Sequence, residues 1–217
     1  MRKITHVVNV GGVKVGGNNP IVVQSMTDTD TSDINKTVNQ IEELYNAGSE
    51  IVRVTVNNVE SAKAISKIKP ILSDKGINVP IIGDFHFIGH KILRTVPECA
   101  ENLDKYRINP GNLGSGNRKD DNFKTFIDIA KDLDKPVRIG VNAGSLDQEL
   151  LDLKMEENNR LRVPKSAEEV ESDALISSAI ISYQKAIDYG LSKNNIIISC
   201  KVSRLNQMVH CYREISK

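Results

Sequence analysis

The sequence predicts an α/β fold of the TIM (β/α)8 barrel type, incomplete over these residues, with about six strand–helix units behind an N-terminal β-hairpin. Three observations carry this reading. Short apolar runs alternate with stretches of helical spacing from residue 20 onward, the pattern of parallel βαβ units. Each run is apolar on one face only, whereas strands of an open doubly wound sheet, covered by helices on both sides, are apolar nearly throughout. The polar residues also gather at the C-terminal ends of the runs, where a barrel carries its site.

The elements follow in order. VVNVGGVKVGG (7–17) places two alternating runs around Gly11-Gly12 and reads as a hairpin, and Gly16-Gly17 reads as a turn. PIVVQSM (20–26) is the first strand, and TDTDTSD supplies a helix N-terminus. Ile34, Val38, Ile41 and Leu44 then recur three or four apart, up to Gly48 at a C-terminal cap. Further strands are EIVRVTV (50–56), VPIIGDFHF (79–87), DKYRINPGN (104–112), KPVRIGVN (135–142) and NIIISCKVS (195–203). Helical spacing fills the intervals, as in NVESAKAISKIKPIL and NFKTFIDIAKDL, and SLDQ (145–148) fits a capping box. The charged stretch 151–172 reads as an excursion on the mouth side before a long helix ending near Tyr189. LNQMVHCYREISK closes the sequence as a helix. Six such units fall short of a closed barrel, so residues 1–217 are expected to form one truncated barrel domain.

Bulk properties narrow the function. With 217 residues and a net charge of +1, the chain lacks the basic excess of a sequence-blind nucleic-acid binder. Cys99, Cys200 and Cys211 form no C-x-x-C pair, and their odd number argues against a disulfide framework. They read as small apolar fillers. No apolar run has the length of a signal peptide or a membrane span, so a cytoplasmic protein with no membrane partner is expected. Trp is absent and aromatics are few, which leaves Ile, Val and Leu to build the core.

Residues two apart on a strand share a face. Gln24 and Met26, Arg53 and Thr55, Asp84 and His86, Arg107 and Asn109, Arg138 and Asn142 across Gly140, and Ser199 and Lys201 therefore point together. Val52, Val54, Ile108, Ile139, Val141, Ile198 and Cys200 take the opposite face, under the helices. If the polar set faces inward, one mouth collects three arginines, a lysine and a histidine against a single aspartate. Such a cluster needs an anionic counter-charge, and phosphate suits the guanidinium fork. The Gly-rich loops NPGNLGSGN (109–117) and NAGS (142–145) end at helix starts, where backbone N–H groups favour anions. No G-K-[ST] follows either, so a nucleoside triphosphate site is not indicated. A metal at Asp84 and His86 would be repelled by the arginines, and none is expected. His6, His90 and His210 read as ordinary polar or helix-surface residues.

PIVVQSMTDTDTSD, IVRVTV, DFHF, RINPGNLG, VRIGVNAGSL and SCKVS, in that order and spacing, resemble the barrel domain of bacterial 4-hydroxy-3-methylbut-2-enyl diphosphate synthase over essentially the whole chain. The resemblance implies reductive ring opening and dehydroxylation of 2-C-methyl-D-erythritol 2,4-cyclodiphosphate in non-mevalonate isoprenoid biosynthesis. It implies that Arg53, Arg107, Arg138 and Lys201 clamp the diphosphate, with hydrogen bonds from Asn109, Asn142 and Ser145. Asp84 and His86 would lie near the ring oxygens as catalytic groups, His86 as a proton donor. It also implies flavodoxin or ferredoxin as electron donor and a homodimer of the intact protein. The family's [4Fe-4S] cluster belongs to a C-terminal domain outside these residues, and the three cysteines here do not match its ligands. Two departures are Phe85 in place of Ile and Arg204 after Ser203, where an acid is common. Two other readings accommodate the same residues. One is a non-catalytic barrel that binds the cyclic diphosphate beside a separate iron–sulfur chain. The other is a different phosphate-binding barrel, such as a pterin-using synthase.

Overall fold

The computed structural model describes residues 3–114 and 116–217. Ser115, in the loop 109–117, lies outside the described residues. The order of elements is β1 (Val7–Val10), β2 (Val13–Gly16), β3 (Gln24–Met26), α1 (Ile34–Asn46), β4 (Ile51–Val56), α2 (Val59–Asp74), β5 (Ile81–Phe85), α3 (Gly89–Thr95) and α4 (Pro97–Asn102). There follow β6 (Lys105–Ile108), α5 (Gly116–Asp132), β7 (Val137–Asn142), α6 (Gln148–Asn159), α7 (Ala167–Asp188), β8 (Ile196–Lys201) and α8 (Leu205–Ile215).

β3 to β8 form one six-stranded sheet, every neighbouring pair parallel. The strands stand in simple sequence order. A doubly wound sheet reverses its strand order at a switch point; a barrel wall does not. The wall is therefore that of an incomplete barrel, with β3 and β8 at its two edges.

The outer face packs as the apolar alternation requires. Val52, Val54, Phe85, Ile108 and Ile139 are buried against Ile41 of α1, Ile65 and Ile68 of α2, Ile92 of α3 and Phe126 and Ile127 of α5. Each such side chain is worth roughly 1.5–3 kcal/mol of transfer free energy. Phe85, Tyr106 and Phe126 meet edge to face, with centroids 5.6–5.8 Å apart. The Tyr106 hydroxyl donates to Ala100 O at 2.7 Å, so the ring's polar end is satisfied in the core. Val141 and Cys200 continue the outer face against Leu175, Ala179 and Cys211.

The hairpin closes the opposite side. β1 and β2 are antiparallel and turn at Gly11 and Gly12, whose φ of 55° and 97° suit the primed turns of two-residue hairpins. Val8 and Val10 are buried with Ile51 and Ile82, and Val13, Val15, Val22 and Ile197 pack around them. Ile51, Ile82 and Ile197 lie at the N-terminal ends of their strands. The hairpin is thus an apolar plug in the barrel floor, and the polar residues of the inner face lie above it.

Several local readings are corrected. Ser145 does not open a capping box; Asp147 caps α6 by accepting from Glu149 N at 3.0 Å. The box belongs to α7, where Ser166 and Glu169 satisfy each other's backbone N–H. The excursion after β7 includes the helix α6, and α7 ends at Asp188 with Tyr189 as its C-cap, near the expected position. His90 is not a surface residue: it is buried on α3, and neither ring nitrogen has a hydrogen-bond partner. Its neutral form is favoured because burial, with Lys91 and Arg94 adding to it, pushes the imidazole pKa below its ordinary value.

Candidate anion-binding site

The ladder registers place the polar residues in rows across the inner face. Thr55, Asp84, Arg107 and Arg138 are successive partners across β4, β5, β6 and β7. The row below runs Met26, Arg53, Ile82 and Lys105. Gly140 pairs with Ser199, and Asn142 with Lys201, nearer the rim. The period-two expectation for the inner face is met.

Asp84 is the hub. Its side chain is 4% exposed, with Arg107 Nη1 at 3.0 Å from Oδ1, Arg53 Nε at 3.7 Å from Oδ2 and His86 Nε2 at 4.0 Å from Oδ2. A buried carboxyl group in that setting orients the two guanidiniums beside it. His86 follows the last residue of β5 and stands partly exposed at the rim.

The arginines differ in how they are satisfied. Arg107 also donates to Gly140 O at 3.3 Å. The missing side chain of Gly140 makes that approach possible, because a Cβ there would lie 2.8 Å from Arg107 Nε. Arg53 turns Nε and Nη2 to Met26 Sδ at 3.2 and 3.0 Å, and a thioether is a weak acceptor. Arg138 donates from Nε to Ser199 Oγ at 2.8 Å and forms no ion pair among the described residues. Burial, and then the neighbouring Arg53 and Arg107, hold its pKa below the usual guanidinium range. Among the described residues no carboxylate lies within ion-pair distance of this guanidinium, and Asp84 acts on it only from farther away.

Two expected ligand residues are engaged with each other. Asn109 Nδ2 donates to Ser145 Oγ at 2.7 Å, while Asn109 Oδ1 accepts from Gly111 N at 3.1 Å. Asn142 Oδ1 likewise accepts from Gly144 N at 3.1 Å. These contacts lock the loops after β6 and β7 together and set the shape of the rim. Lys201, at the end of β8, is exposed at the rim.

Sequence reasoning missed Lys105. It opens β6 and is 3% exposed on the inner face beneath Arg107. A lysine at a strand start reads as solvated. The available signal was its spacing of two from Arg107.

The cysteines form no centre. Cys99 lies in the main core and Cys200 and Cys211 in a second cluster, and burial pushes the Cys99 and Cys200 thiols up to about 12. Among the described residues no group of three His, Cys, Asp or Glu side chains converges as a metal site. Three dispersed, protonated thiols in apolar surroundings do not fit an iron–sulfur cluster.

The bowl thus combines guanidinium groups, the buried Asp84 carboxyl that orients two of them and a rim of small loops, groups whose chemistry suits an anion. No helix among the described residues is long and apolar enough to cross a membrane.

Comparison with known proteins gives a family and a fold. The family model described as the GcpE TIM-barrel domain matches residues 5–217. Among solved structures, HPPK-DHPS of Plasmodium falciparum superposes with a TM-score of 0.62 at 10% identity, covering 96% of this chain and 37% of that one. Dihydropteroate synthase of Xanthomonas albilineans gives 0.56 at 12% identity, covering 96% and 70%. A type I 3-dehydroquinate dehydratase of Clostridium difficile gives 0.51 at 16%, covering 90% and 81%. At these identities the likeness is one of fold alone.

Proposed function

This chain belongs to the GcpE TIM-barrel domain family, the barrel of 4-hydroxy-3-methylbut-2-enyl diphosphate synthases, and on that premise we propose that its cationic bowl binds 2-C-methyl-D-erythritol 2,4-cyclodiphosphate for reductive opening to 4-hydroxy-3-methylbut-2-enyl diphosphate. The observation that carries the reading is the pair Arg107 and Arg138, side by side in the β6–β7 ladder with a single carboxylate between the bowl's arginines. A cluster of that charge, built on rigid strands, is preorganised for a ligand bearing two adjacent phosphoryl groups.

The roles follow from the contacts. Arg138 and Arg53, the less completely paired guanidiniums, grip phosphoryl oxygens, and Lys201 adds charge from the rim. Asp84 positions Arg107 and Arg53. Ring opening expels a phosphate oxygen as an anion, and fixed cations stabilise the charge that develops there. In this reading His86, at the rim beside Asp84, supplies a proton to the departing hydroxyl. Two electrons are needed for the opening, and in this reading flavodoxin or ferredoxin supplies them to a homodimer of the intact protein.

Calorimetric titration of the chain with the cyclic diphosphate, and separately with a pterin diphosphate, tests the proposal. Saturable binding of the cyclic diphosphate, weakened by added salt, is expected. A preference for the pterin, or no binding of the cyclic diphosphate, would overturn it.

A further inference from the structure

Lys105 occupies a place where a lysine is unfavourable unless something negative comes to meet it. It stands on the inner face two residues below Arg107, in register with Ile82, whose other ladder partner is Arg53. Ile82 beside it belongs to the apolar plug, which continues below through Val8, Val10 and Ile51. Its ammonium reaches Gln24 Oε1 of β3 at 3.5 Å, the outer limit of a hydrogen bond, and it forms no ion pair among the described residues. The charged groups set around it are Arg53 on β4, Asp84 on β5, Arg107 on its own strand and Arg138 on β7. Asp84 is committed to Arg107 and Arg53. A methionine or leucine would fill the same volume without the desolvation penalty of a buried charge, which amounts to several kcal/mol.

We propose that Lys105 is a further ligand of the anion site, donating from the lower row it shares with Arg53 to the phosphoryl group that Arg53 and Arg138 hold. This rests on the reading of the bowl as an anion site and adds a residue that neither the sequence motifs nor the family resemblance supplied. It has a consequence for protons. Burial, and then Arg138 and Arg53, bring the Lys105 ammonium down to about 8. An arriving anion supplies the missing counter-charge and restores the proton, so binding above pH 8 takes up protons. In the cyclic diphosphate each phosphorus is already esterified and retains only a strongly acidic group, so the uptake reports on the protein.

The test is calorimetry on the 217-residue chain and its Lys105→Met variant, with the cyclic diphosphate and with inorganic pyrophosphate at about pH 7. The unaltered chain is then titrated with the cyclic diphosphate at about pH 8.5 in two buffers of different ionisation enthalpy. Expected are a dissociation constant raised about tenfold or more in the variant, and net proton uptake by the unaltered chain. Equal affinity in a folded variant, or no proton uptake by the unaltered chain, overturns the role of Lys105 and leaves the anion site standing. Failure of the unaltered chain to bind either anion removes the anion site and Lys105's role together. If Lys105→Met does not fold, the two-buffer measurement on the unaltered chain decides.

Discussion

Arg107 and Arg138 are direct partners in the parallel β6–β7 ladder, yet they answer to different neighbours. Arg107 is ion-paired with Asp84 at 3.0 Å, whereas Arg138 has the hydroxyl of Ser199 at 2.8 Å and no carboxylate. Like charges opposite one another on a sheet are destabilising, so the pair is tolerated by Asp84 on one side and, in our reading, by the ligand on the other.

The two arginines should therefore separate in a stability measurement. Arg138→Met removes a repulsion and is expected to leave the melting temperature unchanged or raised, while anion affinity falls about tenfold to a hundredfold. Arg107→Met leaves the buried Asp84 carboxylate only the longer contact to Arg53 at 3.7 Å and is expected to cost about 3 kcal/mol in denaturant unfolding. Equal destabilisation by both substitutions would contradict the assigned pairing.

Gly140 is the sharpest steric test. A Cβ there meets Arg107 Nε at 2.8 Å and Ser199 Oγ at 3.4 Å. Gly140→Ala is expected to displace the Arg107 guanidinium, lower stability by about 1–3 kcal/mol and weaken anion binding in parallel. An alanine variant with unchanged affinity would show that the guanidinium's position is not what binding reads.

Lys105 makes stability depend on alkaline pH. Its pKa in the folded chain is about 8, against an ordinary value of 10.5, so the unfolded chain holds the proton more tightly. The penalty of burying the ammonium is complete below pH 8 and is relieved as pH rises toward 10.5. Across that window the unliganded chain is expected to gain on the order of 3 kcal/mol relative to Lys105→Met. Parallel pH profiles for the two proteins would refute this.

His90 acts at the acid end. Burial, with Lys91 and Arg94, lowers its pKa below 6.5, so the folded state resists a proton that the unfolded chain accepts. Stability is lost as pH falls through about 6.5, and His90→Leu should flatten that limb. It should also gain about 1–3 kcal/mol near pH 7 by removing two buried nitrogens without partners. Urea unfolding of both proteins between about pH 5 and pH 8 reads both effects.

The rows of the inner face were legible because period two is a local property: VRIGVN alone puts Arg138, Gly140 and Asn142 on one side. The strand order followed from the succession of runs. What was not legible depends on distance along the chain. The hairpin plug brings Val8 and Val10 onto Ile51 and Ile82, and nothing in VVNVGGVKVGG says which end of the barrel it fills. Ser145 looked like a cap because its partner, Asn109, is 36 residues away. Lys105 passed unremarked inside DKYRINPGN and His90 reads as an ordinary polar or helix-surface residue, because polar residues are mostly exposed; only the packed barrel shows both buried.

A crystal structure of the chain soaked with 2-C-methyl-D-erythritol 2,4-cyclodiphosphate tests the central claim most directly. The account predicts phosphoryl oxygens within hydrogen-bonding distance of Arg138 and Arg53, above the side chain of Lys105 and on the open side of Asp84. A ligand seated elsewhere, or a bowl whose arginines bind solvent alone at saturating concentration, would contradict it.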